Sequence, residues 1–331
     1  DYSDSTQGAL LLEPERTNVI LYSNDFNQWT TSGTITSGQD GLGVNPDAWI
    51  YQNSTPTSAV YINNTLSGVQ TMSGFFKKNS TNGIRLYAFG DVNCNAYFDL
   101  NNGTVDLQQN IISADIVPFG DDWFRCSMTF NQTNTQCSIY ITNNANTQVL
   151  GEITMQYMQL ELGSYATSYI PTNEAIATRN QEICKNATPE INSEEGVLYA
   201  EVNFGQQHTA SRYIALSDGS NNNRVILGVS SNASSITTFV SSGGVTQAQM
   251  NFAFNISDYH KIALKYKQNS FALWVDGVEV GVDNSGLSPI GLDNLRFSQG
   301  GLGNPFFGNT KNVQVFNTAL TDAQLQTLTT I

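Results

Sequence analysis

The sequence predicts an all-β chain of two antiparallel units, sandwiches or barrels, with one short helix at the C-terminal end. Three observations carry that expectation. The 331 residues include 14 Tyr and 17 Phe among abundant Asn, Thr, Ser, Gln and Gly, residue types that suit pleated surfaces joined by polar turns. Short runs with apolar residues at alternate positions recur along the chain, punctuated by Gly and Asn. Helical spacing is confined to residues 322–328, where Thr321 is placed to cap and Leu325 and Leu328 share a face.

The elements follow in order. Leu10-Leu11-Leu12 reads as a buried strand. Pro14 lacks the N–H a ladder needs and holds Glu13 extended, so the strand closes there. Thr17-Asn18 is turn chemistry, and Val19 and Leu21 resume the alternation. Glu13, Glu15 and Arg16 are expected to form a structural corner. Arg16 would pair with Glu13 or Glu15, or donate to carbonyls at the bend. Strands are expected over 83–89, over 96–100 (closed by Asn101-Asn102-Gly103), over 123–130 with 137–142, and over 155–162. Residues 172–193 break the pattern with polar runs such as Arg179-Asn180-Gln181-Glu182. Domains are therefore expected over 1–180 and 193–331, with a linker over 181–192. The second half repeats the all-β pattern over 196–204, 212–217, 224–229, 236–240 and 260–266. A hairpin around Asp276-Gly277 follows, then strands over 295–298 and 311–316.

The formal net charge is −14, which argues against nucleic acid and against an anionic membrane surface, since both call for basic patches. No run approaches 18 apolar residues, so no helix is expected to insert in a membrane. The chain opens at Asp1 without an initiator Met, a basic n-region or an apolar h-region, as expected of a processed chain or a piece of a longer one. Four Cys are too few for a disulfide scaffold. Cys126 and Cys137 read as free buried thiols, while Cys94 and Cys184 stand near loops and are expected to be more accessible.

Two groups of motifs resemble known families. Leu11-Leu12-Glu13-Pro14-Glu15-Arg16-Thr17-Asn18, Tyr22 to Phe26, Phe75-Phe76-Lys77-Lys78, Trp123-Phe124-Arg125-Cys126 and Gln159 to Thr172 resemble a jelly-roll, carbohydrate-binding-module-like domain. That domain is widespread in bacteriophage tail and prophage proteins, notably of Bacteroidetes. The resemblance spans roughly residues 1 to 180. One departure is Asn45-Pro46-Asp47-Ala48-Trp49, where relatives often carry a Gly-rich loop; Trp49 there is either binding equipment or packing. Glu195 to Glu201, Leu216-Ser217-Asp218-Gly219, Leu273 to Gly277 and Asn312 to Asp322 resemble a concanavalin-A-like, laminin-G-like lectin domain. The resemblance implies two tandem antiparallel β-sandwiches. It implies recognition of cell-surface or extracellular polysaccharide by a tail or adhesin segment, in the virion or at the cell surface, with other tail subunits or further copies as partners. The same modules stand beside polysaccharide-degrading enzymes, and a purely structural spacer is the third reading.

Strand alternation supplies candidate ligand residues. Phe124, Cys126, Met128 and Phe130 face one way, leaving Trp123 and Arg125 on the other. By the same count Arg85, Tyr87, Tyr97 and Tyr140 point outward. Aromatic rings stack on sugar C–H faces and Arg bridges hydroxyls, so this face offers a glycan site; the bland reading is a surface covered by a loop, domain or subunit. Trp274 alternates with Leu273 and Val275, which makes it a second platform or a residue covered by the 300–307 loop. Both folds accommodate calcium, for which Asn24, Asp25, Asp47, Asp218, Asp283 and Asp293 are the oxygen-bearing candidates, each equally a turn former.

Catalytic signatures are missing. There is no Gly-x-Ser-x-Gly elbow, zinc-type His pair, phosphate loop or dinucleotide fingerprint, and the chain has only two His, His208 and His260. The carboxylate pairs Glu13/Glu15, Asp121/Asp122 and Glu194/Glu195 sit in turn-like contexts. The expected function is non-catalytic, with no cofactor required.

Overall fold

The computed structural model of the chain describes residues 8–42, 46–185, 187–205, 210–231, 235–301 and 303–331. The fold is all-β with antiparallel sheets and one C-terminal helix. Two compact units divide it. One comprises Glu15–Asn180, the other Asp1–Pro14 together with Gln181–Ile331.

In the 15–180 unit, two long strands, Ala59–Lys78 and Trp123–Thr142, run antiparallel and form the spine of a ten-stranded sheet. Glu152–Leu162 and Ala48–Asn53 extend it on one side, Gly83–Gly90 and Cys94–Asp99 on the other. A register irregularity between Asn134 and Gln136 reverses which parity faces inward. Cys126, Met128 and Phe130 before it, and Cys137, Ile139 and Ile141 after it, consequently enter one apolar core with Phe76, Ile84, Leu86 and Phe98. Each such side chain contributes about 1.5–3 kcal/mol when fully buried.

The other unit is an antiparallel β-sandwich of two sheets. One sheet contains Gly308–Phe316, Glu195–Asn203, His260–Lys267 and Phe271–Val275; the second contains Arg212–Ser217, Arg224–Val229 and Ser235–Ser242. Leu198, Val202, Leu264 and Leu273 meet Ile214, Leu216, Leu227 and Val240 between them. The helix Asp322–Thr329 starts at Thr321, whose hydroxyl accepts from the Gln324 N–H while Gln324 reaches back in a capping box.

Two expectations about the chain's organisation need correction. Leu10–Leu12 does not open the first unit; it pairs with Gly308–Phe316 at the edge of the C-terminal sandwich, and Leu12 enters that core. Adjacent residues gave no hint of a partner three hundred positions away. Residues 181–192 are also no free linker. The Glu182 N–H donates to Glu13 O at 2.9 Å, Phe297 N–H to Cys184 O at 3.1 Å, and Leu295 N–H to Ala187 O at 2.8 Å. The segment is thereby stitched onto the C-terminal unit.

All four cysteines are free thiols. Cys94 is buried, contrary to expectation, because it lies within the strand Cys94–Asp99 and its Sγ meets the Asn110 carbonyl at 2.9 Å. Cys184 is half-buried.

Candidate functional site

The corner ties the first strand segment of the 15–180 unit, Arg16–Asn18, to the strand Glu152–Leu162. Arg16 pairs with Glu161, not with Glu13 or Glu15: Nε stands 3.4 Å from Oε2 of a fully buried carboxylate. Arg16 Nη1 does donate to the Glu15 carbonyl at 3.1 Å, as the bend required, and the guanidinium lies 5.3 Å from the Tyr165 ring centre. Glu161 also accepts from the Thr167 N–H, the Thr167 hydroxyl and the Gln159 amide. Glu13 is buried, and its N–H donates to Glu182. The Glu161 and Glu182 carboxylates thus hold architecture together.

The outward aromatic set divides into two places. Tyr140 stands seventeen residues beyond Trp123 on one strand, roughly 55 Å of extended chain at about 3.3 Å per residue. Trp123 is buried with Ala48 and Phe75, and Arg125 lies over the Phe75 ring at 5.4 Å while donating to Ser73 Oγ and the Thr167 carbonyl. Both pack; neither joins Tyr140. Alternation gives the face of a sheet but not the position along it.

The other four meet. Register places Arg85 directly between Tyr97 on one neighbouring strand and Tyr140 on the other. The guanidinium carbon lies 4.2 Å from the Tyr140 ring centre, 4.7 Å from Tyr87 and 5.5 Å from Tyr97, and Nη1 donates to the Tyr97 hydroxyl oxygen at 3.0 Å. Tyr87 packs edge-on against Tyr140 and leans on Phe89, whose own ring is exposed. Burial raises the Tyr87 pKa, so the phenol stays neutral.

Sequence reasoning missed the rim. Gln136 Nε2 donates a hydrogen bond to Asn63 Oδ1 at 3.1 Å, and Ser138 donates to Gln136 at 3.0 Å. Asn63, Phe89, Thr135 and Gln136 line a shallow open depression of about 440 Å³. Tyr61 lies opposite Ser138, and Gln109 opposite Asn95. Counting alternate positions back from Tyr140 would have found Ser138 and Gln136. Tyr61 and Asn63 needed the strand Ala59–Lys78, which the sequence did not announce.

Trp274 is no open platform. It is buried with Val197, Tyr199 and Ala263 under Leu325 of the C-terminal helix, rather than under the 300–307 loop. Phe306 of that loop packs instead on Phe204 and Phe297. On the C-terminal unit's other sheet, Arg224 lies 4.7 Å from the Phe239 ring centre, with Tyr213 edge-on to Phe239 at 5.8 Å. Arg224 Nη1 donates to the Gln299 carbonyl and to Asn221.

The calcium candidates are dispersed. Asn24 and Asp47 do meet, but Asp47 accepts from the Tyr157 hydroxyl at 2.5 Å and from Gln156, and Asn24 accepts from the Tyr157 N–H. Asp25 caps the short 3-10 turn Phe26–Gln28. Asp218 accepts from Ser220 and Asn223, bonds that overcome its desolvation and lower its pKa. Asp283 accepts from Ser285, and Asp293 from Asn294. Among the described residues, no three His, Cys, Asp or Glu side chains cluster as a metal would need. His260 sits between Asp276 at 2.6 Å and the Asn255 carbonyl at 2.8 Å, a turn-holding role. His208 and Asn45 lie outside the described residues; Trp49 is core, edge-on to Phe26.

One family model matches within the C-terminal unit. Residues 185–326 match the family model described as the concanavalin A-like lectin/glucanases superfamily, of laminin G type. No curated relative matches the chain. Among solved structures, the CBM40 module of the Ruminococcus gnavus IT-sialidase bound to α2,3-sialyllactose is 18% identical at a TM-score of 0.36, over 42% of this chain and 84% of that one. Domain 4 of AbnA, a GH43 extracellular arabinanase from Geobacillus stearothermophilus in complex with arabinotriose, is 14% identical at 0.37, over 45% and 73%. Mouse laminin α1 domains LG4-5 are 10% identical at 0.31, over 96% and 94%.

Proposed function

We propose that the chain is a non-catalytic glycan-binding segment of a phage tail or adhesin-type protein, and that the Arg85 platform is its contact face. The observation that carries this reading is the convergence of Arg85, Tyr87, Tyr97 and Tyr140 on one sheet face rimmed by Asn63 and Gln136. Rings take the C–H faces of a sugar, while a fixed guanidinium and amides bridge its hydroxyls. A shallow face gives modest affinity per site, so the working avidity comes from several copies or from other tail subunits in the virion or at the cell surface. The tail setting is supported by the motif set at residues 11–18, 75–78, 123–126 and 159–172.

The carboxylate pairs support the non-catalytic reading. Asp121 and Asp122 lie exposed in a turn with φ of 48° and 63°, and Glu195 pairs with Lys267 at 2.8 Å. A second reading, an ancillary module beside a polysaccharide-degrading catalytic domain, uses the same face. It is favoured by the family matched over residues 185–326, whose description spans lectins and glucanases. The chain beyond this segment decides between the two readings.

A glycan array probed with the intact chain tests the proposal. The wild type should retain a defined glycan set that Tyr97→Ala and Tyr140→Ala both lose while keeping a cooperative melt. Failure of the folded wild type to hold any glycan above background sinks the reading, and shortening of a polysaccharide by the chain overturns its non-catalytic part.

A further inference from the structure

The seven arginines of the chain are not equivalent. Among the described residues, six bind a carbonyl, amide or carboxylate oxygen: Arg16 on Glu161 and Glu15, Arg125 on Thr167, Arg179 on Ser168, Arg212 on Phe204 and Phe307, Arg224 on Gln299, and Arg296 on Asn294. Arg85 differs. Its hydrogen bond goes to the Tyr97 hydroxyl, a neutral and weak acceptor, and no described carboxylate lies within ion-pair distance. Three tyrosine rings hold the guanidinium in place without satisfying its fork of five N–H donors. The nearest acid by register, Asp99, shares the face of Tyr97, but it accepts from Asn101 N–H, Asn102 N–H and the Asn102 amide and so holds its own turn.

A pinned, half-buried cation with donors to spare is matched by a planar anion. A carboxylate accepts two parallel N–H bonds from a guanidinium, a geometry that a neutral sugar hydroxyl does not reproduce. The surrounding rings suit the C–H face of the same sugar. We propose that the Arg85 platform selects acidic glycans, those whose residues carry a ring carboxylate, over their neutral counterparts. This rests on the glycan-binding reading and names its substrate class. The chain's net charge of −14 opposes an anionic polymer at long range, so selection acts through contact at Arg85 and not through steering.

The test uses matched probes that differ only at the carboxyl group: uronic-acid oligosaccharides and their carboxyl-reduced products, titrated against the intact chain by calorimetry. The wild type should prefer the acid form by about tenfold or more, as a charge-assisted bond implies. Arg85→Gln should bring the two forms level, and Arg85→Lys, which keeps the charge but loses the fork, should retain an intermediate preference. Melting curves establish that each variant is folded. If the wild type binds acid and reduced forms equally, selection by charge is overturned while the glycan reading stands. If it binds neither these probes nor any arrayed glycan, both fall.

Discussion

Arg16 Nε stands 3.4 Å from Glu161 Oε2, joining the first strand segment of the 15–180 unit to its last long strand. Glu161 is fully buried, so removing the cation leaves a buried carboxylate that, among the described residues, the Thr167 and Gln159 donors hold. Arg16→Ala should therefore destabilise the 15–180 unit by roughly 2–4 kcal/mol. In calorimetry this appears as a lowered transition for that unit. The transition of the C-terminal sandwich should not move. An unshifted transition would remove the pair from the list of forces holding the corner.

Gly163 makes that pair geometrically feasible. Its φ is +142°, and a Cβ built there would lie 2.7 Å from Arg16 Nη2. Gly163→Ala should displace the guanidinium and strain the backbone together. In an Arg16→Ala background only the strain remains, so the second substitution should cost less than in the wild type. A double-mutant cycle on urea midpoints reads this coupling directly, and strict additivity would show that the two residues act independently.

Trp123 and Tyr140 were expected to act as one outward set, and they should separate under mutation. Trp123 is packed against Ala48 and Phe75, so Trp123→Ala should cost about 3–5 kcal/mol of stability. Tyr140 is half-buried beside Arg85, so Tyr140→Ala should cost less stability and abolish glycan retention. Loss of binding by a fully folded Trp123→Ala protein would relocate the site to the Phe75 end of the sheet.

These contrasts mark what local sequence conveys. Alternation correctly assigned Cys126, Met128 and Phe130 to the core, with Phe124 half-buried against it, because side chains along a strand alternate between its faces. It joined Arg85 to Tyr87, Tyr97 and Tyr140 for the same reason. Position along the sheet was illegible, since the strand Trp123–Thr142 runs through both ends of the unit. Partners set by long-range pairing were equally hidden: Leu10–Leu12 with Gly308–Phe316, Arg16 with Glu161, and Trp274 beneath Leu325. Each is decided by topology, which residue spacing does not encode.

The helix that hides Trp274 gives a further test. Leu325 is fully buried against Trp274, Tyr199 and Ala263. Leu325→Ala should cost the C-terminal unit about 2–4 kcal/mol, and Thr321→Ala about 1 kcal/mol through the lost capping box. Truncation before Thr321 should shift tryptophan emission to the red as the indole meets water. Unchanged emission after truncation would mean that something other than the helix covers Trp274.

Alkaline pH should weaken the fold through its buried acids. Burial pushes the Cys137 thiol up to about 12, and raises Cys126 as well; Tyr169 and Tyr199 are likewise pushed up to about 12. In the unfolded chain a thiol ionises near pH 8.5 and a phenol near pH 10. Between those values and about 12 the unfolded chain has released protons that the folded chain still holds. Unfolding therefore releases protons, and stability falls as pH rises across this window, being fully present below it. For Cys137 alone the loss reaches on the order of 5 kcal/mol by the top of the window. Cys137→Ala removes that one titration, so its urea midpoint should decline less steeply between pH 8 and 11 than the wild type's. Parallel slopes for the two proteins would show that the thiol ionises equally in both states and that burial does not hold its proton.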